Sequence, residues 1–195
     1  MNVDAATAAR LAPRTVTMAA VEPGGGRILV RDNADTEAPQ LWLVAADGAR
    51  RRLTDHLDAV DLGVVGPDGR HVVYGVDDGG DECRQLHLLD LATGTSRALT
   101  TAPHAVHAFG GFRPHGAAIA FAGNAANGVD FDVYVQALDG SAATRVMRGQ
   151  GLRTVKAWSP DGRFLAVVGA ASTFAQELHL LDVATGALQP VLARP

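Results

Sequence analysis

The chain has 195 residues and a mass of 20.2 kDa, which suits one domain with a substantial core. Apolar residues make up 47% and charged residues 19%, a composition that excludes intrinsic disorder. The 17 basic and 21 acidic side chains give a net charge of −4, which argues against nucleic-acid and membrane-surface partners. The single cysteine, Cys83, excludes an internal disulfide and a multi-thiolate zinc site.

The N-terminal segment, residues 1–14, does not have the uninterrupted apolar run of a secretory signal. No later segment approaches the about 18 consecutive apolar residues of a membrane span. Helix is expected, if anywhere, only from Asp4 to Leu11. We therefore expect a cytoplasmic protein with a 14-residue leader before the folded domain.

A turn motif recurs along the chain about every 46 residues. Gly66–Arg70 reads Gly-Pro-Asp-Gly-Arg and returns as Ser-Pro-Asp-Gly-Arg at Ser159–Arg163, with degenerate copies at Glu22–Gly25 and Arg113–Gly116. Proline presets φ for a turn and glycine takes the positive φ that follows, so each copy ends a strand. Such self-similarity is typical of repeat architectures.

A second motif keeps the same period at a different offset. Leu86–Gly94 returns as Leu178–Gly186, a displacement of 92 residues, which is two repeats of 46. Leu41–Gly48 and Val133–Gly140 are separated by the same 92 residues. The sequence therefore contains four copies of one unit.

Each copy reads as four short strands separated by turns. In the second copy the predicted strands are 59–65, 70–76, 85–89 and 96–100. Four short strands per repeat of this length are typical of a β-propeller blade. We predict an all-β fold, a propeller segment of four four-stranded blades, with the blades at 15–56, 57–102, 103–150 and 151–195.

Four blades leave a packing problem at their ends. Each blade buries its faces on its neighbours, so four blades either close into a small ring or leave two apolar faces uncovered. Uncovered apolar faces are association sites. We expect part of a larger propeller, whose remaining blades are partners and whose exposed faces allow self-association.

The segment Asp77–Asp90, an acidic loop running into Gln-Leu, resembles the propeller of the prolyl oligopeptidase family of serine peptidases, which includes acylaminoacyl peptidases and dipeptidyl aminopeptidases. The Leu-Thr endings at Arg52–Thr54 and Ala98–Thr100 resemble the same family. TolB-like and WD-repeat-like propellers share these motifs. The resemblance implies a propeller that covers a C-terminal α/β-hydrolase domain and limits peptide access to it.

No Gly-x-Ser-x-Gly nucleophile motif occurs in the 195 residues, so no catalytic residue is assigned and this chain is expected to be inactive alone. The resemblance implies that the parent protein is a serine-type peptidase acting on peptide substrates, with the hydrolase domain as a partner. The alternative is a non-enzymatic protein-binding scaffold of the TolB-like or WD-repeat-like kind.

The candidate site residues are the carboxylates of one acidic loop, Asp77, Asp78, Asp81 and Glu82. They suit the amino group of a peptide, a Ca²⁺ ion, or an interface with the hydrolase domain. The spacing does not match a calcium-binding helical hand, and a solvated loop explains the same residues. We predict no metal site and no cofactor.

Two pairs of histidines also need an interpretation. His104 and His107 have no third ligand nearby in sequence, so we interpret them as part of a connection between blades. His87 and His179 alternate with leucines on predicted strands, so they point to the face opposite those leucines. Packing or solvent contact is expected for both.

Overall fold

The computed structural model describes residues 15–172 and 175–191, so the expected leader and its helix lie outside the described residues. The described part of the chain forms strands joined by turns and loops. The strands are Val16–Val21 (β1), Arg27–Asp32 (β2), Gln40–Ala45 (β3), Arg50–Arg52 (β4), Val60–Val65 (β5), His71–Val76 (β6), Gln85–Asp90 (β7), Ser96–Ala98 (β8), His107–Phe112 (β9), Ala118–Gly123 (β10), Asp132–Ala137 (β11), Thr144–Met147 (β12), Arg153–Trp158 (β13), Phe164–Ser172 (β14), Ala175–Asp182 (β15) and Leu188–Pro190 (β16). Within the described ranges the chain has no helical segment that could span a bilayer.

The strands form four antiparallel sheets, each built from four consecutive strands. Sheet 1 contains β1–β4, sheet 2 contains β5–β8, sheet 3 contains β9–β12 and sheet 4 contains β13–β16. First strands contact each other at two of the three junctions, β1 with β5 and β9 with β13. This is the predicted all-β segment of a propeller, with four four-stranded blades.

The Pro-Asp-Gly turns are closed by their aspartate. Asp68 Oδ1 accepts hydrogen bonds from the backbone N–H groups of Arg70 and His71, at 3.0 and 3.1 Å. Gly69 follows with φ of +66°, a left-handed conformation that favours glycine. The repeated tripeptide is therefore the chemical reason that β5 ends and β6 begins.

A second aspartate ties two turns together at the same edge of the sheet. Asp90, at the end of β7, accepts from the N–H of Ala92 at 2.8 Å and from the Arg70 guanidinium at 2.6 Å. The hydrogen bond from Arg70 lowers the pKa of Asp90 far below its usual range. Arg163 and Asp182 repeat this pair in sheet 4, at 3.0 Å.

In the described residues the core consists of three clusters, one in each space between consecutive sheets. Leu29 and Leu41 of sheet 1 pack with Tyr74 of sheet 2 in the first cluster. Leu86 of sheet 2 packs with Ile119 and Phe121 of sheet 3 in the second cluster. Sheet-to-sheet packing, and not one central core, is therefore what holds the blades together.

The arc formed by the four sheets is open. Val16 and Met18 of sheet 1 are exposed, as are Leu178 and Leu180 of sheet 4. In the described part of the chain no strand of sheet 1 packs extensively against sheet 4. Of the two arrangements that four blades allow, the structure has the one with two uncovered faces.

Candidate functional site

Successive antiparallel strands run in opposite directions, so the loop between β6 and β7 emerges at the same end of sheet 2 as the links that join the sheets. This end carries a pocket of about 600 Å³, which we call the acidic pocket. Its walls come from the β6–β7 loop, the link from sheet 1 to sheet 2, and the link from sheet 2 to sheet 3. The aspartates that line it are Asp55, Asp58, Asp77, Asp78 and Asp81.

Three of the four predicted site residues line the acidic pocket, namely Asp77, Asp78 and Asp81. The fourth, Glu82, lies next to them with φ of +61° but is not part of the lining. No lysine or arginine contributes to the lining. The pocket is therefore a concentrated patch of negative charge.

Two further aspartates of the lining, Asp55 and Asp58, lie on the link from sheet 1 to sheet 2 and were not among the predicted site residues. They are about 20 residues before the acidic loop, and only the stacking of consecutive sheets brings them beside it. The repeat period could have identified these two aspartates, because it places this link and the β6–β7 loop at the same end of the blade.

Gln85 holds the acidic loop and the following link in place. Its Nε2 donates to the carbonyl oxygens of Cys83, Ala102 and Ala105, at 2.9, 2.8 and 3.1 Å. Its Oε1 accepts from the Ala102 N–H and the Thr100 hydroxyl, both at 3.1 Å. Gln85 of the Gln-Leu motif and Thr100 of the Leu-Thr motif are thus joined in one hydrogen-bonded network, which we call the clamp.

Gln40 makes the corresponding clamp in sheet 1. Its Nε2 donates to the carbonyl oxygens of His56 and Asp58, both at 3.0 Å, and its Oε1 accepts from the His56 N–H at 3.0 Å. Thr54 adds a bond from the Leu41 N–H at 2.9 Å. Both links that line the acidic pocket are therefore fixed by a buried or half-buried glutamine.

Two histidines of the lining, His56 and His87, pack with Tyr74 in a cluster of aromatic rings. His56 Nε2 shares a hydrogen bond with the Tyr74 hydroxyl at 3.1 Å, and that hydroxyl lies 2.6 Å from Ser96 Oγ. His87 stacks on Tyr74 with ring centroids 5.1 Å apart. Burial lowers the pKa of both histidines, so both are neutral near pH 7 and add no positive charge to the pocket. Arg52, beside the lining, pairs with Asp55.

The remaining histidines do not form a common site. His104 lines the acidic pocket, whereas His107 is buried at the start of β9, with Nδ1 3.1 Å from the carbonyl oxygen of Arg84. His179 Nε2 lies 3.8 Å from a Glu177 carboxylate. In the described residues no group of three or more histidines, cysteines and carboxylates is arranged to hold a metal ion.

A second pocket, of about 820 Å³, is lined by the β10–β11 loop, β12, the link from sheet 3 to sheet 4, and residues of sheet 4. Its lining combines Asp130 and Asp132 with Arg145, Arg148 and Arg153. Asp132 Oδ2 pairs with Arg145 Nη1 at 3.0 Å, so part of this charge is neutralised internally. Among the two pockets, only the acidic pocket presents charge of a single sign.

Comparisons with solved structures identify the fold. A prolyl endopeptidase matches 93% of this chain and 30% of its own at 14% identity, with a TM-score of 0.73. TolB from Acinetobacter baumannii matches 91% of this chain and 43% of its own at 18% identity, with a TM-score of 0.67. A protein from Bacteroides ovatus, provisionally assigned as a dipeptidyl aminopeptidase IV, matches 92% of this chain and 29% of its own at 14% identity, with a TM-score of 0.65.

No protein-family model matches the sequence, and no curated protein matches it. The chain spans less than half the length of each solved structure just described. At these identities the likeness identifies the architecture alone. The chain is a segment of a β-propeller.

Proposed function

We propose that this chain is the propeller portion of a prolyl oligopeptidase-like serine peptidase. In that role it limits the access of peptides to an α/β-hydrolase domain and forms part of the wall of the peptide cavity. The observation that carries the proposal is the acidic pocket, in which Asp77, Asp78 and Asp81 of the family-like loop converge with two further aspartates. The similarity to a prolyl endopeptidase and to a dipeptidyl aminopeptidase-like protein supports it.

The chemistry of the pocket fits a peptide with a free amino terminus. The lining has no lysine or arginine, and of its carboxylates Asp55 pairs with Arg52 beside the pocket. The others attract an α-ammonium group, and clefts of one sign raise the local concentration of oppositely charged ligands. A volume of about 600 Å³ is within the range of small-ligand pockets, which suits the end of a peptide. The neutral His56 and His87 leave this attraction intact.

The peptide role has a direct binding test. We expect Asp77→Asn/Asp78→Asn to weaken the binding of a fluorescent peptide with a free amino terminus by about 2- to 30-fold, since each exposed ion pair contributes about 0.2–1 kcal/mol. Asp47→Asn/Asp139→Asn is the matched control, because it removes the same charge from turns at the other end of the sheets. An N-acetylated peptide should bind weakly to every variant. Equal losses in both double variants would contradict a local role for the pocket.

The second candidate is a non-enzymatic, TolB-like protein-binding scaffold. The match to TolB favours it, as does the finding that Gln85 and Thr100 clamp the backbone. Because Gln85 and Thr100 stabilise the fold, the motifs that contain them are compatible with a propeller of any function. The two candidates differ in whether the natural polypeptide contains a serine nucleophile.

The peptidase assignment is tested on the natural polypeptide in its source cells. An antibody raised against this chain would isolate the polypeptide for intact mass measurement after treatment with a fluorophosphonate that labels serine hydrolases. The proposal predicts a chain several hundred residues longer that carries the label. A polypeptide of 20.2 kDa without the label would overturn the peptidase proposal and favour the scaffold.

A further inference from the structure

Two arginines of the second pocket occupy repeat positions that carry neutral residues in the preceding sheets. Val60, His107 and Arg153 begin the first strands of sheets 2, 3 and 4. Val60 is fully buried and His107 is 4% exposed, whereas Arg153 is half-buried and lines the pocket of about 820 Å³. Sheet 4 thus has a charge at a position that sheets 2 and 3 use for packing. We call this pocket, which residues of sheets 3 and 4 line, the arginine pocket.

Arg148 is the second of these arginines. Leu86 and Val133 are each the second residue of the third strand of their sheet. In sheet 2 the residue opposite Leu86 is followed by Thr100, whose buried hydroxyl accepts from the Leu86 N–H at 2.9 Å. In sheet 3 Met147 lies opposite Val133 and is followed by Arg148, which is exposed and lines the arginine pocket. An arginine therefore replaces the threonine that closes the strand pair in sheet 2.

The two carboxylates of the arginine pocket already have donors for all their oxygen atoms. Asp132 accepts from a backbone N–H of the link between sheets 3 and 4 at 2.8 Å and from Arg145 Nη1 at 3.0 Å. Asp130 accepts from the Gly151 N–H at 2.6 Å and from the Asn127 side-chain amide at 2.9 Å. These carboxylates hold the link in place, and they pair with neither of the other two arginines of the lining.

Arg148 and Arg153 have no hydrogen-bond or ion-pair partner in the part of the chain that the structure describes. Glu177 is the register partner of Gly169, next to Arg153, but its side chain is 59% exposed and does not line the pocket. Each guanidinium presents a planar fork of N–H donors. The half-buried Arg153 uses none of these donors within the described residues, although water reaches it only in part.

A glycine makes room for the Arg153 side chain. Gly169 is the register partner of Arg153, and a Cβ at this position would overlap the guanidinium. Gly169 does not have a positive φ, so its backbone conformation does not require glycine. In sheet 3 the equivalent Gly123 lies under His107, where a Cβ would be 2.8 Å from the His107 Cδ2. The absence of a side chain at Gly169 is therefore explained by the place that Arg153 occupies.

We propose that the arginine pocket binds a small ligand through a carboxylate or phosphate group, held by Arg148 and Arg153. The guanidinium fork matches the paired oxygen atoms of both groups. Three arginines against two aspartates leave the lining with a net positive charge, and a volume of about 820 Å³ is within the range of small-ligand pockets. The proposal uses no residue of the acidic pocket, so it does not depend on the proposed function.

NMR titration of the ¹⁵N-labelled 195-residue chain tests this proposal. The probes are inorganic phosphate and, separately, succinate, each at low ionic strength that is matched with sodium chloride. We expect the backbone signals of residues 148–153 to shift with at least one probe, and that probe identifies the group. The signals of residues 77–82 should not move, which separates this site from the acidic pocket. No shift of residues 148–153 with either probe up to about 20 mM would overturn the proposal.

Variants of the two arginines test whether they hold the probe that binds. Arg148→Gln and Arg153→Gln should each raise its dissociation constant about three- to tenfold, since each removes one guanidinium from the anion. Lys156→Gln is the matched control, because it removes the same charge from an exposed residue of β13 that does not line the pocket. An equal loss in the control, or unchanged binding in both arginine variants, would overturn the proposal.

Gly169→Ala tests position without any change in charge. The new Cβ displaces the Arg153 guanidinium, so binding should weaken although every arginine is still present. Thermal unfolding confirms that each variant is folded. If Arg153→Gln is not, Arg148→Gln and Gly169→Ala replace it. Binding that is unchanged in Gly169→Ala would show that Arg153 is not held at the ligand, which contradicts the proposed site.

Discussion

The substitution Gln85→Ala tests how the acidic pocket is built. Gln85 joins the acidic loop to the link between sheets 2 and 3, through hydrogen bonds to Cys83, Thr100, Ala102 and Ala105. Truncation to alanine removes both the donor and the acceptor of the side-chain amide. It leaves the Ala102 N–H and two link carbonyl oxygens without these partners.

The expected cost follows from the capacity of the amide group. A carboxamide has two N–H donors and an oxygen with two lone pairs, so it makes at most about four full hydrogen bonds. Each contributes about 0.5–1.5 kcal/mol net, and water reaches part of this half-buried site. We therefore expect Gln85→Ala to lower the free energy of unfolding by about 2–4 kcal/mol, a large share of the about 5–15 kcal/mol of a typical domain.

Urea unfolding at one fixed protein concentration measures this loss. Gln150→Ala is the control, since Gln150 is exposed and its change should stay within about 0.5 kcal/mol. Gln85→Met keeps a similar side-chain volume without the amide and should lose nearly as much as Gln85→Ala. If both Gln85 variants match the control, the hydrogen bonds of Gln85 contribute nothing to the free energy of unfolding.

Gly110→Ala would place a Cβ 2.3 Å from the Val155 Cβ in the neighbouring sheet, so we expect urea unfolding to show a loss of about 1–3 kcal/mol. Gly26→Ala, with no atom within 4 Å, should stay within about 0.5 kcal/mol, and an equal effect of both would contradict the packing argument. The thermal midpoint should fall as the pH drops from about 7 to 5, because burial lowers the pKa of histidines that take up protons on unfolding: His56, His87 and His107. Their stabilisation is present above the unfolded pKa of about 6.5 and is lost below it, whereas a midpoint that is constant or rises on acidification would contradict this assignment.

The fold was predictable because its signals are local and repeated. Asp68 and Asp90 each accept a hydrogen bond from a backbone N–H two residues later and so close a turn. All the residues that form the turn therefore lie within the sequence motif. The alternation of leucines around His87 also predicted β7. In the structure Leu86 and Leu88 are buried against sheet 3, as this alternation requires. Periodicity of this kind needs no knowledge of the tertiary structure.

The acidic pocket was only partly predictable because it is assembled across the space between sheets. Asp77 and Asp78 were candidates from the sequence, but Asp55 and Asp58 join them only through the packing of one blade on the next. The stacking of His87 on a tyrosine of β6 likewise depends on strand register. Such contacts depend on strand register and on the packing of one sheet on the next, which cannot be deduced from a single sequence.

The packing of each sheet on the next one is tested most directly by thiol labelling of the 195-residue chain in a Cys83→Ser background. Leu41→Cys, Leu86→Cys, Val133→Cys and Leu178→Cys each place one thiol at the same point of the third strand of a different sheet. Labelling in the native state should be slow at the first three positions, which the next sheet buries, and fast at the fourth, because Leu178 is 39% exposed. Labelling at position 86 as fast as at position 178 would show that sheet 3 does not cover sheet 2.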